Sequence, residues 1–183
     1  MTEEEIIEGC QHGDNRARKE LYEQYSATLF ALVLRYQPDR DKAQDVLHDG
    51  FISVYTHINK FSYRGEGSLK AWLSRIFVNE VLTSLRAKDI LATSVDIEDV
   101  RTDFTEPDAD ETAQIPADKI YEVVSKLPDG YRTVFNLFAI EGLSHKEIGE
   151  MLNISQKTSA SQFYRARTIV ARELKKFINE KHS

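Results

Sequence analysis

Apolar residues recur every three or four positions along most of this chain, the spacing of helices with one buried side. In 14–36 the apolar row is Ala17, Leu21, Tyr25, Leu29 and Leu32, and Asp14 stands where an N-cap belongs. A second helix, about 41–58, turns Ala43, Leu47, Phe51, Val54 and Ile58 to one side. SYRGEGS then breaks the rhythm, and its two glycines mark a loop. Ser68 is placed to cap a third long helix, 68–88, with Leu69, Trp72, Leu73 and Ile76 along it. No alternating strand pattern competes.

Farther on, Ile120, Val123, Val124 and Leu127 predict a short helix ended by Pro128. Tyr131 to Ile140 predicts another, stopped by Gly142. Ser144 and Glu147 have the capping-box spacing, and Ile148 and Leu152 form the inner face of the helix that follows. A turn near Asn153 and Ile154 leads into a long helix from about Ser155. On it Ser159, Phe163, Ala166, Val170, Leu174 and Phe177 face inward. This is a helix-turn-helix with a basic extension. The expected fold class is all-α, with two small helical domains.

Charge separates the domains. Residues 1–95 carry 12 basic and 14 acidic side chains. Residues 96–118, DIEDVRTDFTEPDADETAQIPAD, carry one basic and nine acidic and show no sustained helical period. That stretch predicts a self-repelling, flexible linker, able to reach roughly 75–83 Å when extended. Residues 119–183 carry 11 basic and seven acidic, so the overall charge of -6 hides a basic C-terminal module. Such a module is the footprint of a nucleic-acid binder.

Several classes are disfavoured. No run of ~18 apolar residues could span a bilayer. The start, MTEEEIIEGC, lacks the basic and apolar regions of a signal peptide. Cys10 is the one cysteine and cannot form an internal disulfide. A cytoplasmic protein, not inserted in a membrane, is expected. His12, His48, His57, His145 and His182 have no metal-ligand spacing with Cys10 or with one another. Gly65 and Gly67 lack the third glycine of a dinucleotide fingerprint. No nucleophile motif occurs, so a non-enzyme with no cofactor and no metal is expected.

Three surfaces remain as candidates. Asp41, Asp45 and Asp49 fall at i, i+4 and i+8. Like charges so placed repel by ~0.2–0.5 kcal/mol per pair, which a basic partner would relieve. A plain solvated face is the alternative. Phe61, Tyr63, Trp72 and Phe77 interleave with Arg64, Lys70, Arg75 and Arg86. That mixture suits unstacked single-stranded bases, although Trp72 or Phe77 can equally serve the core. Residues 155–181 hold seven basic and two acidic side chains, and Lys157, Ser161, Tyr164, Arg165, Thr168 and Arg172 share an outer helix face. Cations, hydroxyls and a phenol there suit phosphates and base edges, the alternative again being a solvated face.

The residues also carry a resemblance. DKAQDVLHDGFISVYTHINKF resembles region 2.2 of extracytoplasmic-function sigma factors, and FSYRGEGSLKAWLSRIFVNEVLTSLR their regions 2.3 and 2.4. LPDGYRTVFNLFAIEGLSHKEIGEMLNISQKTSASQFYRARTIVARELK resembles region 4. The order and separation of the blocks match too. The resemblance implies a sigma factor that binds core RNA polymerase and directs promoter recognition, DNA opening and initiation. It implies docking on the clamp of the largest subunit through Asp41, Asp45, His48, Asp49 and Phe51. It assigns the -10 element to Phe61, Tyr63, Arg64, Lys70, Trp72, Arg75, Asn79 and Arg86. It assigns the -35 element to Lys157, Thr158, Ser161, Tyr164, Arg165 and Arg172, with the polymerase flap also meeting this module. The linker would run towards the active-site channel and RNA exit path, and an anti-sigma factor is an expected partner. His48 stands where the family often has Gln, Thr83 where Asp is common after the Asn79 position, and Lys157 and Ala160 where Gly and a basic residue are frequent. These departures bear on which promoter is read. The competing readings are a helix-turn-helix regulator that never acts as a polymerase subunit, and a helical module that titrates a regulator.

Overall fold

The computed structural model describes residues 1–86 and 113–182. Every regular element among them is helical, and none of these helices is long and apolar enough to cross a membrane. The chain divides into two compact units, Met1–Ser84 and Leu85–Ser183. The expected linker falls outside the described residues from 96 to 112, as does the expected end of the third helix at 87 and 88. The linker's expected end at 118 needs correction, because Ile115 is buried in the second unit's core and a helix starts at Ala117.

The first unit holds α1 (Glu3–Gln11), α2 (Asn15–Tyr36), α3 (Arg40–His57), a 3-10 turn (Ile58–Lys60) and all but the last two residues of α4 (Ser68–Arg86). Helix α1 was not expected from the pattern, because its apolar face is only Ile6, Ile7 and Cys10. Its start is nonetheless a complete capping box. The Glu5 N–H donates to Thr2 Oγ1 at 3.2 Å, and the Thr2 N–H donates to Glu5 Oε2 at 2.7 Å. Asp14 caps α2 as expected, and Asp39 caps α3 by accepting from Asp41 and Lys42. Leu21, Leu29, Tyr36, Leu69, Leu73 and Phe77 are fully buried.

Glycine sets two close approaches here. A Cβ on Gly9 would stand 2.5 Å from the Cβ of Ala17, so α1 and α2 touch backbone to side chain. A Cβ on Gly50 would stand 2.3 Å from Phe77 Cε1. Close packing of the Phe77 ring thus offsets the ~1 kcal/mol that glycine costs inside a helix. Two expectations need correction. Ser68 begins α4 instead of preceding it; its hydroxyl accepts from the Arg64 N–H at 3.2 Å and donates to the Gly65 carbonyl at 2.7 Å, closing the loop. Trp72 and Ile76 are only half-buried, and Phe77 takes the core position.

The second unit holds α5 (Ala117–Ser125), α6 (Asp129–Phe135), a π turn (Asn136–Ile140), α7 (His145–Leu152) and α8 (Gln156–Lys181). Val123, Val124, Leu127 and Tyr131 pack with Ala166, Val170, Leu174 and Ile178. The turn before α8 is tight. Asn153 adopts φ 56°, and a Cβ on Gly149 would stand 2.7 Å from the carbonyl oxygen of Ile154. The expected capping box is present: the Ser144 N–H donates to Glu147 Oε2 at 2.8 Å, and the Glu147 N–H to Ser144 Oγ at 3.1 Å.

Helices α7 and α8 are locked by rings. His145 lies flat on Phe138 at 4.3 Å, Phe163 meets Phe138 at 4.4 Å, and His145 Nδ1 is 2.9 Å from Ser159 Oγ. Phe163 is half-buried on this ring cluster, and Ile178 is more deeply buried than the half-buried Phe177. Thr168 is a further correction. It was placed on the outer face but is 5% exposed, and its hydroxyl donates to the Tyr164 carbonyl at 2.9 Å. A short side chain among long ones, bonded to its own helix, presents nothing to DNA.

Candidate nucleic-acid interface

The loop between the 3-10 turn and α4 folds back over the first turns of α4. Gly65 and Gly67 permit this with φ of 106° and 84°. The return sets the Phe61 ring against Trp72, centroids 4.9 Å apart and planes tilted 38°. Beside the pair opens a cleft of about 380 Å³ lined by Lys60, Phe61, Ser62, Arg64, Ser68, Ala71, Trp72 and Arg75. Half-buried rings with three cations at the rim make a surface for a flat, anionic ligand unit.

Of the eight residues assigned to this surface, the cleft gathers Phe61, Arg64, Trp72 and Arg75. Lys70, Asn79 and Arg86 are exposed on α4 outside its lining. Tyr63 lies to the acidic side: desolvation, then the charges of Glu3, Glu4 and Glu66, push its phenol up. The Thr83 hydroxyl donates to the Asn79 carbonyl at 2.9 Å. Lys60 belongs to the cleft and was missed; its signal was a cation next to the first loop aromatic.

On α3, Asp41, Asp45, His48 and Asp49 are exposed. Phe51 is not part of that outer face. It is 4% exposed and meets Tyr22 at 4.8 Å, Tyr55 at 6.1 Å and Phe77 at 5.3 Å, so it carries the face from beneath. Ile52, 58% exposed, is the apolar member of the face. The available signal was an isoleucine one turn past Asp49, out of phase with the apolar row.

In the second unit Ser155 caps α8, accepting from the Thr158 N–H at 3.0 Å, and its hydroxyl donates to Thr158 Oγ1 at 2.8 Å. Lys157, Thr158, Ala160 and Ser161 are exposed, Tyr164 is 57% exposed, and Arg165 and Arg172 are half-exposed. One outer face of α8 thus carries cations, hydroxyls and a phenol, supported by the ring cluster beneath.

Residues 21–90 match the family described as Sigma-70 region 2, and residues 117–169 match Sigma-70, region 4. The chain belongs to the sigma-70 family. Similar curated proteins span nearly the same length. The ECF RNA polymerase sigma-E factor of Haemophilus influenzae is 29% identical over 95% of this chain and 96% of its own. The RNA polymerase sigma-H factor of Pseudomonas aeruginosa is 27% identical over 97% and 96%. A solved structure of the sigma factor RpoE with the anti-sigma factor NepR from Bartonella quintana has a similar fold. It has a TM-score of 0.51, 20% identity, and coverage of 86% of this chain and 96% of that one. This chain is a sigma factor of the extracytoplasmic-function type, a specificity subunit for RNA polymerase in transcription initiation. Sigma factors are not catalytic enzymes. A helix-turn-helix regulator acting apart from polymerase is not favoured.

Proposed function

We propose that this sigma factor divides promoter recognition between its two units: the cleft of the first captures unstacked bases of the -10 element, and the outer face of α8 reads the -35 element as duplex. The cleft carries the reading. Phe61 and Trp72 offer ring faces, and Lys60, Arg64 and Arg75 offer charge to a strand backbone. On α8, Lys157, Thr158, Ser161, Tyr164 and Arg165 sit on the half that a helix-turn-helix lays in the major groove. The exposed face of α3, with Asp41, Asp45, Asp49 and Ile52, suits a basic partner with an apolar centre, here the clamp of the largest polymerase subunit. The flap would meet the second unit, and the segment between the two units would run along the polymerase.

In this reading the chain works in the cytoplasm, catalyses nothing itself and is held in check by an anti-sigma factor. Its lone Cys10 is buried, and desolvation raises its thiol, which keeps it unreactive. Run-off transcription with core polymerase on a promoter library tests the division. Trp72→Ala is expected to abolish most transcription from duplex promoters while polymerase binding persists. Undiminished transcription would overturn the assignment of the cleft.

A further inference from the structure

We propose that Gln11 is a positioning residue for the base-capturing cleft: from α1, its side-chain amide fixes the backbone on which Phe61 is mounted. The proposal rests on the reading of that cleft as the site for unstacked -10 bases. Gln11 Nε2 donates to the Ile58 carbonyl at 3.1 Å and to the Phe61 carbonyl at 3.2 Å, across 47 and 50 positions of sequence. An amide nitrogen carries two N–H groups, so each carbonyl receives one.

Those carbonyls bracket the end of the 3-10 turn. The Phe61 N–H itself returns to Ile58 at 3.1 Å, and the chain then leaves in extended backbone, φ -81° and ψ 133°. The Phe61 ring meets Trp72 directly from this point. The far end of the loop is pinned separately, by the Ser68 hydroxyl between Arg64 and Gly65. At the far pin, inside the turn that Ser68 closes, Gly65 and Gly67 have positive φ, and a Cβ on either would meet nothing within 4 Å. The cleft therefore depends on how firmly the two ends are held.

Helix α1 is a firm base for the nearer pin. Gly9 packs against Ala17, and the Tyr25 hydroxyl donates to Glu3 at 2.8 Å. If the loop leaves the geometry that pairs Phe61 with Trp72, affinity falls in proportion to the competent fraction. Gln11 touches no base in this arrangement. It acts by keeping that fraction high.

The test uses the full chain bound to core polymerase. The probe is single-stranded DNA enriched from a random pool on the wild-type holoenzyme, and its retention and dissociation are measured. Gln11→Met keeps the length of the side chain and removes both donors. It is expected to weaken capture about tenfold, with thermal unfolding and polymerase affinity at wild-type values. Gln11→Glu, which sets an acceptor against two carbonyls, is expected to weaken it further. Gln11→Lys restores donors and is expected to recover most of the loss.

Capture by Gln11→Met equal to wild type overturns the proposal. So does a Gln11→Met chain that loses the first unit's fold while a folded Gln11→Lys chain captures no better, because the role is then structural only. Trp72→Ala in the same assay separates the two layers. If it captures as well as wild type, the cleft is not the site and the underlying reading falls. If it fails while Gln11→Met does not, the cleft reading stands and the role of Gln11 is rejected.

Discussion

The first unit sets its cations around a hollow, and the second sets them along a ridge. Lys60, Arg64 and Arg75 rim a cleft of about 380 Å³ beside two rings. Lys157, Arg165 and Arg172 lie along one side of α8, with Ser161 and Tyr164 between them. The charged chemistry is similar and the shapes are opposite. A major groove ~12 Å wide admits a helix, so a ridge can read paired bases from outside. A hollow this small admits a base only after it has left the stack. Shape, more than charge, therefore separates the surface suited to opened DNA from the one suited to duplex.

The supports differ as well, and the largest expected effect exploits that. Gly50 lets α3 approach the fully buried Phe77 of α4. Gly50→Val overpacks this contact and is expected to lower the stability of the first unit by about 3 kcal/mol, the upper end for a core that cannot yield. The second unit should unfold as before. Denaturant titration followed by probes in each unit checks this. An unmoved transition in the first unit would show that the Phe77 ring can retreat.

A middle effect sharpens the contrast from the duplex side. Arg165→Ala removes a half-exposed cation from α8 without touching the ring cluster named above. Duplex affinity should fall by ~1–3 kcal/mol if Arg165 grips a base, with the logarithmic salt slope smaller by about 1 if it grips a phosphate. Capture of single-stranded DNA by the first unit should not change. Binding titrations at several salt concentrations with both probes distinguish these outcomes. An equal loss on both probes would break the proposed division of labour.

The sequence was most legible where packing is periodic. The rows in α2, α3 and α8 led to Leu21, Leu29, Val54, Ala166 and Val170, all buried. It was least legible where burial disagrees with the role or the face that a residue was given. Phe51 follows the apolar row and is buried, although the family resemblance placed it among interface residues. Thr168 follows the polar row and is buried, its hydroxyl satisfied by the Tyr164 carbonyl of its own helix. Helix α1 escaped notice because three apolar residues make a weak period, while Thr2 and Glu5 carried the signal in their spacing. The cleft was half legible. Aromatics and cations could be counted, but which of them meet depends on the loop's return, and Gln11 acts across 47 positions.

The smallest effect compares one chemistry in two settings. Each unit contains a capping box, Thr2 with Glu5 on α1 and Ser144 with Glu147 on α7. Replacing either hydroxyl residue by alanine is expected to cost about 1 kcal/mol of local stability. Hydrogen exchange at the Glu5 and Glu147 amides measures this directly, since each loses its acceptor. The consequences should then part. α7 packs on α8 and is joined to it by the His145 contacts with Ser159 and Phe163, so Ser144→Ala is expected to loosen the support of the ridge proposed to read duplex. α1 carries Gln11, so Thr2→Ala loosens the pin at Phe61. Duplex affinity should drop slightly for Ser144→Ala alone and single-strand capture for Thr2→Ala alone, each by less than the fivefold that about 1 kcal/mol allows. If the exchange rates rise as expected but both variants lose the same activity, the two surfaces are coupled and the hollow and the ridge do not act as independent readers.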